Sequence, residues 1–289
     1  MALAYPNLVP ANNLRLPDAL TVQHGPAPLL ARFVLEGDKA AREAGLRLRL
    51  RYDFEELLYL NRQHMARGNW FRLVNSFNPE YAELTPENAF WIAGEDASGE
   101  IAATWAARVY FWPDTNLEQQ ARVFFYERDE GQPCIVTAEA AKLISGVVLT
   151  GGSAWVRPEF RGRQLSRLVP RIGKAYAFSR WPVDWSICYV SRILVEKGVG
   201  AGYGQKNFSY SIFYPQSPWG DLEVVLAYTA IGDAYEDLAS FMTSEFSGSA
   251  SDRATADSLP PMLEHPTTLE HNVTRVSSDG VFQGSSRRS

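Results

Sequence analysis

The sequence predicts a mixed α/β domain, on two observations. The first is the stretch Val147 to Tyr176, which passes from an apolar, β-branched run through a basic turn into a helix. Val147, Val148 and Leu149 suit a strand covered on both faces. Leu165, Leu168, Val169, Ile172 and Tyr176 then recur at helical spacing, an apolar stripe facing a core. The second is the strict alternation of Leu46-Arg47-Leu48-Arg49-Leu50-Arg51-Tyr52, which puts the leucines on one face of a strand and three arginines on the other.

The remaining elements follow in chain order. Residues 1–28 hold five prolines and little periodicity, so they read as an extended arm. Leu29 to Ala44 reads as a helix closed by Gly45. Asp53 and Glu56 form a capping pair ahead of a helix reaching about Arg67, where His64 is expected as a C-terminal cation. Trp70 to Phe77 reads as an aromatic-rich second helix. Two apolar runs, from Ala89 and from Ile101, flank a Gly/Asp/Ser turn and predict a β-hairpin. Helix-like segments at 117–126 and 137–144 are separated by an Asp129–Pro133 loop. Beyond the central stretch come a strand from Asp184, a helix from Arg192 to Lys197, a glycine-rich connection at 198–204, strands at 208–214 and 222–229, and a short helix from Asp233 to Met242. The glycine run misses G-x-G-x-x-G and follows a helix, so it is a connection, not a dinucleotide fingerprint. The main domain is therefore expected over 29–243. The Ser/Thr-rich segment 244–289 is too poor in apolar residues to offset its ordering entropy and reads as a disordered tail.

Composition narrows the function. The net charge of -5 disfavours nucleic acid as a partner, although the arginine face of 46–52 leaves that reading to be tested. Two cysteines, Cys134 and Cys188, do not make a disulfide framework, and no basic-then-apolar leader is visible at the start, so a cytoplasmic location is expected. No uncharged run approaches the ~20 residues of a membrane helix, so no membrane partner is expected. Zinc spacings, a P-loop and a nucleophile elbow are all missing from the sequence, and no metal is expected.

Arg161-Gly162-Arg163-Gln164 sits where a helix begins, and free N–H groups and the positive end of the helix dipole make such a place suited to phosphate. Together with Val156-Arg157-Pro158-Glu159-Phe160-Arg161-Gly162-Arg163-Gln164-Leu165-Ser166 and the element order over about 46–230, this resembles the GNAT superfamily of acyl-CoA N-acyltransferases. The resemblance implies a mostly antiparallel mixed sheet with flanking helices and a central parallel strand pair that splays at a bulge. It implies acetyl-CoA or another acyl-CoA as co-substrate, with Ala154, Trp155, Val156 and Arg157 offering backbone to the pantetheine and Arg161, Gly162, Arg163, Gln164, Leu165 and Ser166 holding the pyrophosphate. An acetyl or short acyl group would pass to an amine of a small molecule or protein. Many such folds dimerise, so a homodimer is among the expected partners.

Two departures accompany the resemblance. Gln164 and Ser166 replace the glycines of R/Q-x-x-G-x-G/A, and Pro170 removes a helix hydrogen bond. Val195 stands where the family often has a tyrosine acid, leaving Tyr189, Ser191, Cys188 and Tyr203, in that order, as substitutes. Glu95, Glu100 and Glu139 are candidate bases that spacing does not separate. Two readings follow: an N-acyltransferase, or a catalytically silent GNAT-fold module that senses acyl-CoA or binds a partner.

Overall fold

In the computed structural model of the protein, the described residues are 13–124, 134–196, 198–217 and 220–246. Leu14–Arg15 forms β1, Ala27–Glu43 α1, Arg47–Arg51 β2, Phe54–Ala66 α2, Ala89–Glu95 β3 and Ile101–Trp112 β4. Leu117–Gln120 is α3, Ile135–Val136 β5, Glu139–Leu143 α4, Gly146–Val156 β6, Leu165–Arg180 α5 and Trp185–Val190 β7. Arg192–Glu196 is α6, Val199–Gly202 α7, Asn207–Ser217 β8, Gly220–Ala230 β9 and Ile231–Phe241 α8. The strands form one sheet in the order β1-β2-β3-β4-β6-β7-β9-β8-β5. Every pairing is antiparallel except β6 with β7. This mixed, mostly antiparallel sheet is the architecture the resemblance implies.

Helices α1, α5 and α8 cover one face of the sheet and enclose the largest core, with Phe33, Leu48, Trp105, Leu149 and Ile172 inside it. Helix α1 joins because Leu30, Phe33, Val34, Gly37 and Ala41 fall on one stripe, each large side chain worth about 1.5–3 kcal/mol on burial. Two glycines set how closely the layers approach. A Cβ on Gly37 would lie 2.6 Å from Ile172, and one on Gly173 would lie 2.2 Å from the Trp105 ring. The other face carries two smaller cores, one under α2 and one under α3, α4 and β8.

The central strand is bent by a bulge. Trp155 pairs with Thr104 and Gly152 with Ala106, so β6 spends one residue more than β4 across this interval. Ser153 takes a positive φ of 51° there, and its carbonyl accepts from the Thr104 hydroxyl at 2.8 Å. Strand β6 pairs with β7 only at Val148–Trp185, Leu149–Ser186 and Thr150–Ile187. From there to Val156 and Val190 the two strands run unpaired, and a gap opens between them.

Several local expectations are corrected. Trp70–Phe77 is not a helix beyond a 3₁₀ turn at Asn75–Phe77. The Asn61 side chain donates to the Phe71 carbonyl at 2.7 Å and accepts from the Leu73 N–H at 3.3 Å, which ties that segment's backbone outside a helix. His64 is not an exposed helix-end cation: it is buried, its ring 4.2 Å from Trp155, and burial lowers its pKa. The arginine face of β2 is knitted to carboxylates, with Arg51 bonded to Glu56 and Glu95. The glycine-rich connection carries the short helix α7. Of the expected arm, Leu14–Arg15 extends the sheet edge, Leu16 is fully buried, and α1 already begins at Ala27. The Asp129–Pro133 loop lies outside the described residues, as does the expected tail beyond Phe246.

Candidate functional site

The gap between β6 and β7 meets the start of α5. Ala154, Trp155 and Val156 of β6, Leu165, Ser166, Val169 and Pro170 of α5, and Tyr203 line a narrow, shallow groove open to solvent. The Arg157 N–H donates to the Ala102 carbonyl on the β4 side at 2.8 Å. Backbone groups alternate in direction along a strand, so those of Val156 and Ala154 face the gap.

The basic turn is built in a specific way. Gly162 has φ 77° and open space where a Cβ would be, while Gln164 caps α5 in the left-handed conformation with φ 57°. That is the position where the related motif carries glycine, and a side chain there costs about 1 kcal/mol. No side chain caps α5, and its first turn holds no acidic residue. Its leading N–H groups are thus left for an anion.

The arginines are less available than the sequence suggested. Arg161 Nε donates to the Val156 carbonyl at 3.3 Å, and Arg163 donates to the carbonyls of Ala44 and Glu159 at 3.0 and 3.2 Å. Arg157 turns away to Asp96 at 2.5 Å and Glu100 at 3.0 Å. The Ser98 hydroxyl and this guanidinium hold the Asp96 carboxyl well below the usual carboxylate range. Of the predicted cofactor residues, Ala154, Trp155, Val156, Leu165 and Ser166 line the groove, and Arg161, Gly162, Arg163 and Gln164 form its turn.

The tyrosines divide between the two faces. Tyr203 lines the groove, and burial pushes its phenol up to about 12. Its loop is pinned from below: Lys174, fully inside the core, donates to the carbonyls of Tyr203 and Gly204 at 2.8 and 2.7 Å. Arg171 beside it grips both oxygens of Asp237 at 2.8 and 2.9 Å. Burial lowers the Lys174 ammonium to about 8. Tyr189, two residues past the last β7 position paired with β6, packs on the opposite face 4.7 Å from Phe124, with its phenol well above the ordinary value through burial. Ser191 is exposed, and its carbonyl anchors the first turn of α6. Cys188 is buried with its thiol pushed up to about 11 by that burial. Val195 packs with Cys188 and Val190.

None of the three candidate bases is shown at the groove. Glu95 sits between Arg49 and Arg51, Glu100 bonds Arg157, and Glu139 bonds Lys142. Sequence reasoning passed over Asn75, Ser76, Arg108 and Thr150, which lie on the far face of the gap. The one signal was polar residues set within apolar runs, as in Val147-Val148-Leu149-Thr150. Among the described residues no cluster of three or more His, Cys, Asp or Glu could hold a metal, and no helix is long and apolar enough to cross a membrane.

No family model matches the sequence, and no curated protein matches it. Solved structures similar to the chain include a spermidine N-acetyltransferase from Vibrio cholerae in complex with CoA and spermine. It is 11% identical over 74% of this chain and 96% of that one, with a TM-score of 0.30. Another is the aminoglycoside acetyltransferase AAC(6')-Ib with coenzyme A and kanamycin, 14% identical over 65% of this chain and 97% of that one, TM-score 0.36. A third is YncA, a putative acetyltransferase from Salmonella typhimurium with acetyl-CoA, 12% identical over 73% and 93%, TM-score 0.28.

Proposed function

We propose that the protein is an acyl-CoA-dependent N-acyltransferase. The observation that carries this reading is the parting of β6 from β7 beyond Thr150 and Ile187, directly above the uncapped start of α5. A thioester arm fits such a place. The gap offers peptide groups of Ala154 and Val156 for its amides, and the turn Arg161–Ser166 offers N–H groups for its phosphates. Acyl-CoA, when bound, supplies an activated carbonyl that an amine can attack.

The chain's own residues supply position and a proton. The β6 backbone orients the thioester, and the amine arrives from the face that carries Tyr189. Tyr203, protonated at neutral pH, donates its proton to the departing sulfur as the C–N bond forms and the C–S bond breaks, and the proton shed by the acylated nitrogen restores the phenol. Tyr189, likewise protonated, borders the acceptor side. No role falls to Ser191, which is exposed at the start of α6.

Calorimetric titration with acetyl-CoA tests the reading. Binding is expected for the native chain and lost in the Arg161→Ala, Gln164→Glu double variant, where a carboxylate faces the pyrophosphate. Failure to bind at millimolar acetyl-CoA removes the reading. A second reading, a silent acyl-CoA sensor, draws on the Arg161 guanidinium resting on the Val156 carbonyl and on Val195. Binding without thiol release across a broad amine panel selects it.

A further inference from the structure

On the face of the gap opposite α5, several buried polar atoms have no hydrogen-bond partner. Asn75 and Thr150 are each 2% exposed, yet both polar atoms of the Asn75 amide and the Thr150 hydroxyl make no hydrogen bond. The Nε of Arg108 is buried and unbonded too. Arg108 and Thr150 stand side by side, and Asn75 lies on the turn that packs against β4. Arg108 of β4 pairs in register with Thr150 of β6, which puts both side chains on one face. The Arg108 guanidinium lies 4.8 Å over the Tyr110 ring, and the Tyr110 hydroxyl donates to Ser76, the neighbour of Asn75, at 3.1 Å. Thr150 is also the last residue of β6 paired with β7, so the cluster stands where the gap begins.

Each unmet buried polar atom costs stability, and native chains keep few of them. Four such atoms, on three residues of neighbouring elements beside the start of the gap, mark groups that await a partner. Their chemistry describes it. Asn75 and Thr150 are neutral donors and acceptors, Arg108 is a fork of donors, and among the described residues no carboxylate is ion-paired with Arg108. One positive charge flanked by neutral hydrogen-bonding groups matches one carboxylate. It repels a polycation.

We infer that this cluster is the acceptor subsite, and that the acceptor is a small amine carrying a carboxylate, of the amino-acid type, held through Arg108, Asn75 and Thr150. The inference rests on the acyltransferase reading and narrows it. The carboxylate docks against Arg108, and the amine is left toward the gap, on the side from which the thioester is reached.

The test is direct binding, followed by calorimetry with and without CoA, of matched pairs that differ by the carboxylate: phenylalanine with phenethylamine, leucine with isoamylamine, lysine with cadaverine. The amino acid of at least one pair is expected to bind and its partner amine to bind more weakly. Arg108→Met is expected to weaken the amino acid by about ten- to hundredfold, the range of a charge-assisted hydrogen bond, with Arg108→Lys between. Acetyl-CoA affinity and the thermal midpoint of Arg108→Met serve as folding controls. Equal or tighter binding of the amine within every pair, or no binding of any amino acid, overturns the inference. Because the acceptors are titrated without CoA as well, an Arg108-dependent amino-acid signal in a chain that does not bind CoA sinks the acyltransferase reading alone. An acetyl-CoA signal without a carboxylate preference sinks this inference alone.

Discussion

Two polar clusters lie inside the molecule on opposite faces of the same sheet, and they are treated in opposite ways. On the α5 side the charges are met: Arg171 by Asp237, and Lys174 by the carbonyls of Tyr203 and Gly204. On the other side Asn75, Arg108 and Thr150 keep unbonded atoms. A met cluster contributes rigidity, and here it fixes the loop that presents Tyr203 to the groove. An unmet one costs about 1–3 kcal/mol for each orphaned group. The contrast separates scaffold from site without reference to any motif.

The sharpest way to break this contrast is Asp237→Ala. It leaves two cations inside the core without their carboxylate, and the expected loss is roughly 3 kcal/mol or more. A chemical denaturation midpoint, with its slope unchanged, reads it. If the midpoint barely moves, Arg171 is being met by water, and the α5 cluster is not scaffold. Next in size is Gly173→Ala. A helical glycine normally gains by this change, but here the new methyl would stand 2.2 Å from Trp105, so a net loss of about 1–3 kcal/mol is expected.

Lys174 gives a pH signature. Its folded pKa of about 8 lies below the ordinary 10.5, so between these values the unfolded chain holds a proton that the folded chain has released. Stability from this group therefore rises with pH across that window, by at most about 1.4 kcal/mol per pH unit, and is lost below it. Lys174→Met is expected to flatten the slope measured between pH 8 and 10; an unchanged slope assigns it to other groups. The smallest effect belongs to the unmet cluster. Thr150→Val removes an orphan hydroxyl at constant shape, so the unliganded protein is expected to gain up to about 1 kcal/mol while amino-acid binding weakens. Destabilisation instead would mean that the hydroxyl already has a bound water.

The sequence was most legible where one pattern decides the outcome. The alternation of Leu46–Tyr52 and the stripe Leu165–Tyr176 each dictate a face, and both elements stand where periodicity put them. It was least legible where a distant side chain overrides local pattern, as when Asn61 ties the Phe71 and Leu73 backbone outside a helix. The two-residue strand β5 carries no periodicity at all and exists because β8 supplies its partner. The groove was foreshadowed by the turn at Arg161, but the engagement of its arginines by main-chain carbonyls was not, because those carbonyls come from elsewhere in the fold. Asn75 and Arg108 left no trace in spacing, since only the fold lays β4 and the 3₁₀ turn side by side.

The extra residue in β6 has a consequence for ligand entry. A strand bent at Ser153 cannot rejoin β7 by sliding, because the extra residue is fixed by its pairing with β4 on the other side. The notch is thus a standing feature of the resting molecule, and whatever enters has no strand contacts to peel apart. Such a notch should fill quickly, without the lag of a slow opening step, and its entry rate should be indifferent to substitutions that loosen or tighten the three closed positions below it.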